Sequence, residues 1–103
     1  MSVNIKSHLD NNFWNINING ELDVAGADKV KEHLNGLVEK KPIDIKIDCT
    51  DLEYIDSTGL GVLIGVLKRL KVNEKDIYIL NPRKNVKKIF DITGLDKIFK
   101  VEG

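Results

Sequence analysis

Hydrophobic and polar positions alternate with period two in four separate stretches, and each predicts a β-strand with one covered and one wet face. Val3 and Ile5 alternate with Asn4 and Lys6. Trp14, Ile16 and Ile18 alternate with Asn15, Asn17 and Asn19. Ile43, Ile45 and Ile47 alternate with Asp44, Lys46 and Asp48, and Ile77 and Ile79 flank Tyr78. A sheet buried on both faces would read as continuous apolar runs, so these strands belong to a sheet covered on one side only. Three further stretches have helical spacing. Ala27, Val30, Leu34, Leu37 and Val38 oppose Lys31, Glu32 and Asn35. Leu60, Leu63, Ile64, Leu67 and Leu70, with Val62 and Val66, make the most apolar helix. Val86, Ile89 and Phe90 oppose Lys84, Lys87 and Lys88.

The punctuation supports this division. Asp10-Asn11-Asn12 suits a hairpin between the first two strands. Asn81-Pro82 predicts a cap and a first-turn proline for the third helix, and Gly94 sits where a left-handed residue should end it. Gly61 and Gly65 cost helix propensity, and close approach of their backbone to the sheet would explain them. The order is strand, strand, helix, strand, helix, strand, helix, with a short strand at residues 98–101 as an optional fifth. Strand–helix–strand steps imply right-handed parallel crossovers. The expected fold is a two-layer α/β domain: a mixed, mostly parallel, four- to five-stranded sheet with its helices packed on one face.

Composition narrows the setting. A chain of 103 residues suits one domain spanning 1–103. Sixteen basic residues balance sixteen acidic ones, so no net charge draws the chain to nucleic acid or an anionic membrane. The single cysteine, Cys49, allows no internal disulfide. Residues 1–6 carry no apolar signal core. The longest apolar run, residues 60–67, falls far short of the roughly 20 residues that span a bilayer. A cytoplasmic protein is the expected class.

Partners of open α/β sheets tend to meet the carboxyl ends of the strands. Here those ends gather Glu21, Asp23, Asp51, Glu53 and Asp56, while the third helix brings Arg83, Lys84, Lys87 and Lys88. An acidic end suits a basic protein surface. The run Tyr54-Ile55-Asp56-Ser57-Thr58-Gly59-Leu60-Gly61 links a strand end to the most apolar helix. Ser57 therefore stands where free backbone N–H groups and the helix dipole favour an anion. It could be a cap, a nucleophile or a phosphate acceptor. Asp56 could be the cap instead, and Asp23 is placed to cap the first helix.

Spacing weighs against enzymes. Ile55 lies two residues before Ser57, where a nucleophile elbow needs glycine. Neither His8 nor His33 is placed to activate the serine. There is no phosphate-loop or dinucleotide fingerprint and no calcium-loop spacing. The residues call for no metal or cofactor.

Three motifs carry a family resemblance: Gly20-Glu21-Leu22-Asp23, Tyr54-Ile55-Asp56-Ser57-Thr58-Gly59-Leu60-Gly61, and Phe90-Asp91-Ile92-Thr93-Gly94-Leu95. Together the chain resembles the bacterial anti-sigma factor antagonists, free-standing STAS domains of the sporulation and stress-response type. The resemblance implies phosphorylation on Ser57. It implies an anti-sigma factor serine kinase as partner, which binds the unmodified form and so releases the sigma factor. It also implies a PP2C-type phosphatase that removes the phosphate and restores the binding-competent form, and no nucleic acid or membrane among the partners. It places partner contacts at Glu21, Asp23, Val24, Asp56, Thr58, Leu60 and Gly61. Val24 stands where relatives often carry a polar residue, and Thr58 replaces a second serine. A competing class is a STAS scaffold or sensor module that binds a protein without phospho-switching, with Ser57 serving only as a cap.

Overall fold

The carboxylate of Asp10 folds the chain back on itself early. It accepts hydrogen bonds from the N–H groups of Asn12 and Phe13, at 3.1 and 2.9 Å, and from the Asn15 side chain at 2.8 Å. The Asn15 bond, followed by the two backbone bonds, holds its carboxyl below the usual range. This turn joins strand β1 (Val3–Leu9) to β2 (Phe13–Leu22). In the computed structural model, which describes residues 3–103, the chain continues through α1 (Ala27–Lys40), β3 (Asp44–Asp48), β4 (Leu52–Ile55) and α2 (Ser57–Lys71). It ends with β5 (Ile77–Leu80), α3 (Lys84–Thr93), a 3-10 turn (Leu95–Lys97) and β6 (Lys100–Glu102).

The sheet order is β1-β2-β3-β5-β6, with β4 beside β2. Among the described residues, only the β1–β2 pairing is antiparallel. Register lines up the apolar positions: Trp14 with Ile45, Ile16 with Ile47, then Ile45 with Ile77 and Ile47 with Ile79. These residues join the buried side chains of all three helices in one core cluster. On the other face Asn15, Asn17, Lys46, Asp48 and Tyr78 stay partly exposed. The helices thus cover one face, as alternation requires when the second face is wet.

Three expectations need correction. The described residues form six strands rather than four or five. The additional strand, β4, reads Leu-Glu-Tyr-Ile and buries only its two ends, so it lacks an alternating pattern. The register with β2 shifts between Gly20 and Glu21, which sets Gly20 opposite Leu52 and Glu21 opposite Tyr54. Skipping Glu53 lets both Leu52 and Ile55 face the core. Gly20 sits at that shift with φ +103°, a conformation L side chains rarely adopt. The last strand also lies a little later than residues 98–101, because Phe99 is taken into the core, edge-to-face with Phe90.

The second correction concerns glycines. Gly61 and Gly65 lie on the exposed side of α2, and a Cβ on either would meet nothing within 4 Å. The close approach to the sheet occurs at Gly59 instead. There a Cβ would lie 2.4 Å from the Leu22 carbonyl oxygen and 2.7 Å from Leu22 Cγ. Third, the α3 N-cap is Arg83, without a side-chain capping bond. Asn81 is instead in the left-handed region, φ +54°, with its N–H donating to the Glu102 carbonyl at 2.8 Å. Gly94 does end α3, at φ +74°. Cys49 is buried at the end of β3, and desolvation pushes its thiol up to about 12.

Candidate phosphorylation and partner-binding site

Strands β2 and β4 end as direct neighbours, Leu22 opposite Ile55. Both side chains are fully buried. The next residues, Asp23 and Asp56, therefore leave the sheet from neighbouring strand ends. The Asp56 N–H donates to the Leu22 carbonyl at 3.3 Å, which fixes the start of α2 against the end of β2.

Asp56 is the α2 N-cap. Its backbone is extended, its Oδ1 accepts from the Gly59 N–H at 3.0 Å, and its carbonyl accepts the first helical bond from Leu60 N–H at 2.9 Å. The cap is thus supplied by Asp56, and the Ser57 hydroxyl is free of that duty. Ser57 and Thr58 are both exposed, on the first turn of α2. The first N–H groups of a helix lack intrahelical acceptors and carry the positive end of its dipole. The arrangement is an outward hydroxyl on a rigid platform that tolerates negative charge.

Asp23 does not cap α1. The N-cap position is Gly26, with no side-chain bond. Asp23 instead closes the turn before the helix, its Oδ1 accepting from Ala25 and Gly26 N–H groups at 3.0 and 3.2 Å. That turn projects Val24, which is 74% exposed. Glu21 is half-buried, and Gly61 is exposed one turn into α2. Leu60 must be corrected as a surface anchor. It is 6% exposed and packs in the core with Leu63 and Leu67, its i+3 and i+7 neighbours. The structure brings Asp23, Asp56 and Ser57 to one edge and leaves Leu60 beneath it. The sequence pattern gave no role to Tyr54, which proves to be 46% exposed on β4. Its position between core residues Leu52 and Ile55 becomes readable only once the bulge is known.

The surroundings are acidic. Glu21, Asp51 and Glu53 join Asp23 and Asp56 along the carboxyl ends of β2, β3 and β4. Among the described residues the ion pair found is Lys71 with Asp76, beyond the far end of α2. The basic helix α3 is tied to this edge through backbone rather than charge. Arg83 Nε donates to the Thr50 carbonyl at 3.0 Å and Asn85 Nδ2 to the Glu53 carbonyl at 2.8 Å. Among the described residues, no helix is long and apolar enough to cross a membrane.

This two-layer fold carries an exposed serine at the start of α2, next to the Asp56 cap. The STAS domain family model matches residues 4–103, and the chain belongs to that family. Within it, the anti-sigma-B factor antagonist of Staphylococcus epidermidis is 35% identical over 101 residues, covering 98% of this chain and 94% of the relative. A Thermotoga maritima crystal structure superposes with TM-score 0.89 at 24% identity, covering 96% of this chain and 86% of that one. The phosphorylated form of the Bacillus cell fate determinant SpoIIAA shares the fold, with TM-score 0.75 at 20% identity over 95% and 90% of the two chains.

Proposed function

We propose that residues 1–103 act as a single STAS domain, a cytoplasmic anti-sigma factor antagonist that switches partners through Ser57. Unphosphorylated, it binds an anti-sigma factor serine kinase through the edge formed by Glu21, Asp23, Val24, Asp56, Ser57, Thr58 and Gly61, and the sigma factor is released. The kinase then transfers the γ-phosphoryl group of ATP to Ser57 Oγ. The hydroxyl proton passes to a base on the kinase and ADP leaves. A PP2C-type phosphatase hydrolyses the phosphoserine and resets the chain. The chain itself performs no catalysis and holds no cofactor; nucleotide and metal belong to the kinase.

The observation that carries this reading is the division of labour at the α2 N-terminus. Asp56 caps the helix, so an exposed Ser57 can change chemically without unfolding its support. Phosphorylation adds about −1.5 to −2 charges. The helix N-terminus accommodates them, but Asp23 and Asp56 stand beside them, and a partner surface shaped for a hydroxyl now meets a bulky dianion. A loss of about 3–4 kcal/mol weakens binding by two to three orders of magnitude, which is enough for a switch.

The test is to incubate the protein with ATP and the anti-sigma factor kinase of the same genome, then map the product by mass spectrometry. Label on Ser57 is expected, and label confined to residues other than Ser57 or Thr58 refutes the assignment. Ser57→Asp should lower kinase affinity by roughly 100-fold or more while Ser57→Ala keeps it. Equal affinity of the two variants would remove the charge argument.

A further inference from the structure

Tyr54 is the aromatic side chain that the fold leaves without company. Phe13 and Tyr78 meet edge-to-face at 5.9 Å, and Phe90 and Phe99 do so at 5.5 Å. Trp14 donates its Nε1–H to the Lys41 carbonyl at 3.0 Å. Among the described residues, no ring or cation stacks on Tyr54, although it is 46% exposed. An exposed tyrosine on a short strand contributes little to the core, so its large apolar face is available for a partner.

Its position ties that face to the switch. Tyr54 and Glu21 are register partners on adjacent parallel strands. Their successors, Ile55 and Leu22, point into the core. By alternation, Tyr54 and Glu21 therefore project together from the opposite face of the sheet. Tyr54 is also three residues from Ser57, within about 10 Å along an extended chain. A standard interface covers about 800 Å² per partner, a patch roughly 30 Å across. Helix α2 starts on the covered side of the strand ends and Tyr54 and Glu21 project from the open side, so a partner of that size that wraps this edge at Ser57 reaches them as well.

The local charge selects the occupant. Glu21 stands beside the ring and Glu53 precedes it in sequence, so a cation is favoured and an anion repelled. The same face of the sheet already makes this kind of contact within the chain, where Lys46 Nζ lies 3.9 Å from the centroid of Phe13. A planar guanidinium satisfies both groups at once, stacking on the ring while forking toward the carboxylate; an ammonium offers one point charge. We propose that Tyr54 and Glu21 form a seat for an arginine side chain of the anti-sigma factor kinase, alongside the Ser57 contact. This rests on the partner reading given above and adds where, and by what chemistry, the kinase is gripped outside the switch itself.

The experiment is titration calorimetry of the wild-type chain and five variants, Y54A, Y54F, Y54L, E21Q and the double variant Y54A/E21Q, against the same kinase without ATP. Each variant is also melted, and each is assayed for Ser57 labelling when ATP is added. Y54A and Y54L should weaken binding by about 10-fold or more, the range of an interface hot spot. Y54F, which keeps the π-face, should stay within about threefold, and E21Q should fall between. The double variant Y54A/E21Q should lose less than the product of the two single losses, because both hold one side chain. Melting temperatures should hardly move, since the ring is exposed. Y54L binding like the wild type would overturn the arginine seat and leave only apolar contact. Wild-type chain and all variants binding alike, with Ser57 still labelled, would overturn this proposal and leave the switch standing. A wild-type chain that neither binds the kinase nor is labelled would overturn the switch, and the seat with it.

Discussion

Three glycines in one helix offer a matched test of how the serine platform is held. At Gly59 an added methyl would lie 2.4 Å from the Leu22 carbonyl oxygen, 2.7 Å from Leu22 Cγ and 3.0 Å from Ile55 Cγ1. Leu22 and Ile55 are fully buried, and the first contact is backbone, so no rotamer change relieves it. Overpacking of this kind costs about 1–3 kcal/mol or more, and contact with backbone points to the upper end. The intrinsic gain of alanine over glycine in a helix is about 1 kcal/mol. Gly59→Ala should therefore destabilise the fold by about 2 kcal/mol, a fall in Tm on the order of 10 °C for a chain of this size. Gly61→Ala and Gly65→Ala meet open space and keep the propensity gain alone. Each should stabilise by about 0.5–1 kcal/mol, raising Tm by a few degrees. Urea and thermal unfolding followed by circular dichroism would read all three. A Gly59→Ala protein as stable as the wild type would mean that α2 is not locked against β2 at this point. A loss on Gly61→Ala comparable to that on Gly59→Ala would mean that the outer helix face is not open.

Two further outcomes probe the site and the core. Asp56→Ala removes the cap on Gly59 N–H and should cost about 1 kcal/mol in urea unfolding, while Asp56→Asn, which keeps an acceptor, should cost less; equal losses would deny the cap. The Cys49 thiol, raised from 9.0 to about 12 by burial and then by Asp48, should stay unreactive toward a thiol reagent in the native chain at pH 8 and react on unfolding. Because its folded pKa lies above the unfolded value, that contribution is complete below pH 9 and declines as pH rises from 9 toward 12. Native-state labelling as fast as that of the unfolded chain would contradict its burial.

Much of the fold was legible before any coordinates. The period-two runs gave β1, β2, β3 and β5, and the helical spacings gave α1, α2 and α3, because those elements bury one face and show it in their pattern. β4 left no such trace, since a bulge opposite Gly20 breaks its alternation. Capping residues were harder to assign. Asp23, Asp56 and Asn81 all have the chemistry of a cap, but only Asp56 meets a helix start; the others serve a turn and a left-handed strand exit. The local run around Ser57 predicted the start of the second helix, and Ser57 is the first residue of α2. The fate of Leu60 depended on the rotation of α2, which packing sets.

The sequence by itself determined that one covered sheet face exists, that three amphipathic helices cover it, and that an acid and two hydroxyls open the most apolar of them. These follow from local periodicity and side-chain chemistry, which act within a few residues. Only the tertiary structure decided that Leu22 and Ile55 pair, that Gly59 presses on the Leu22 carbonyl, and that Tyr54 and Glu21 emerge together on the open face. Those depend on a one-residue register shift between strands thirty residues apart, and register is fixed by the packing of the whole core rather than by any local stretch of the chain.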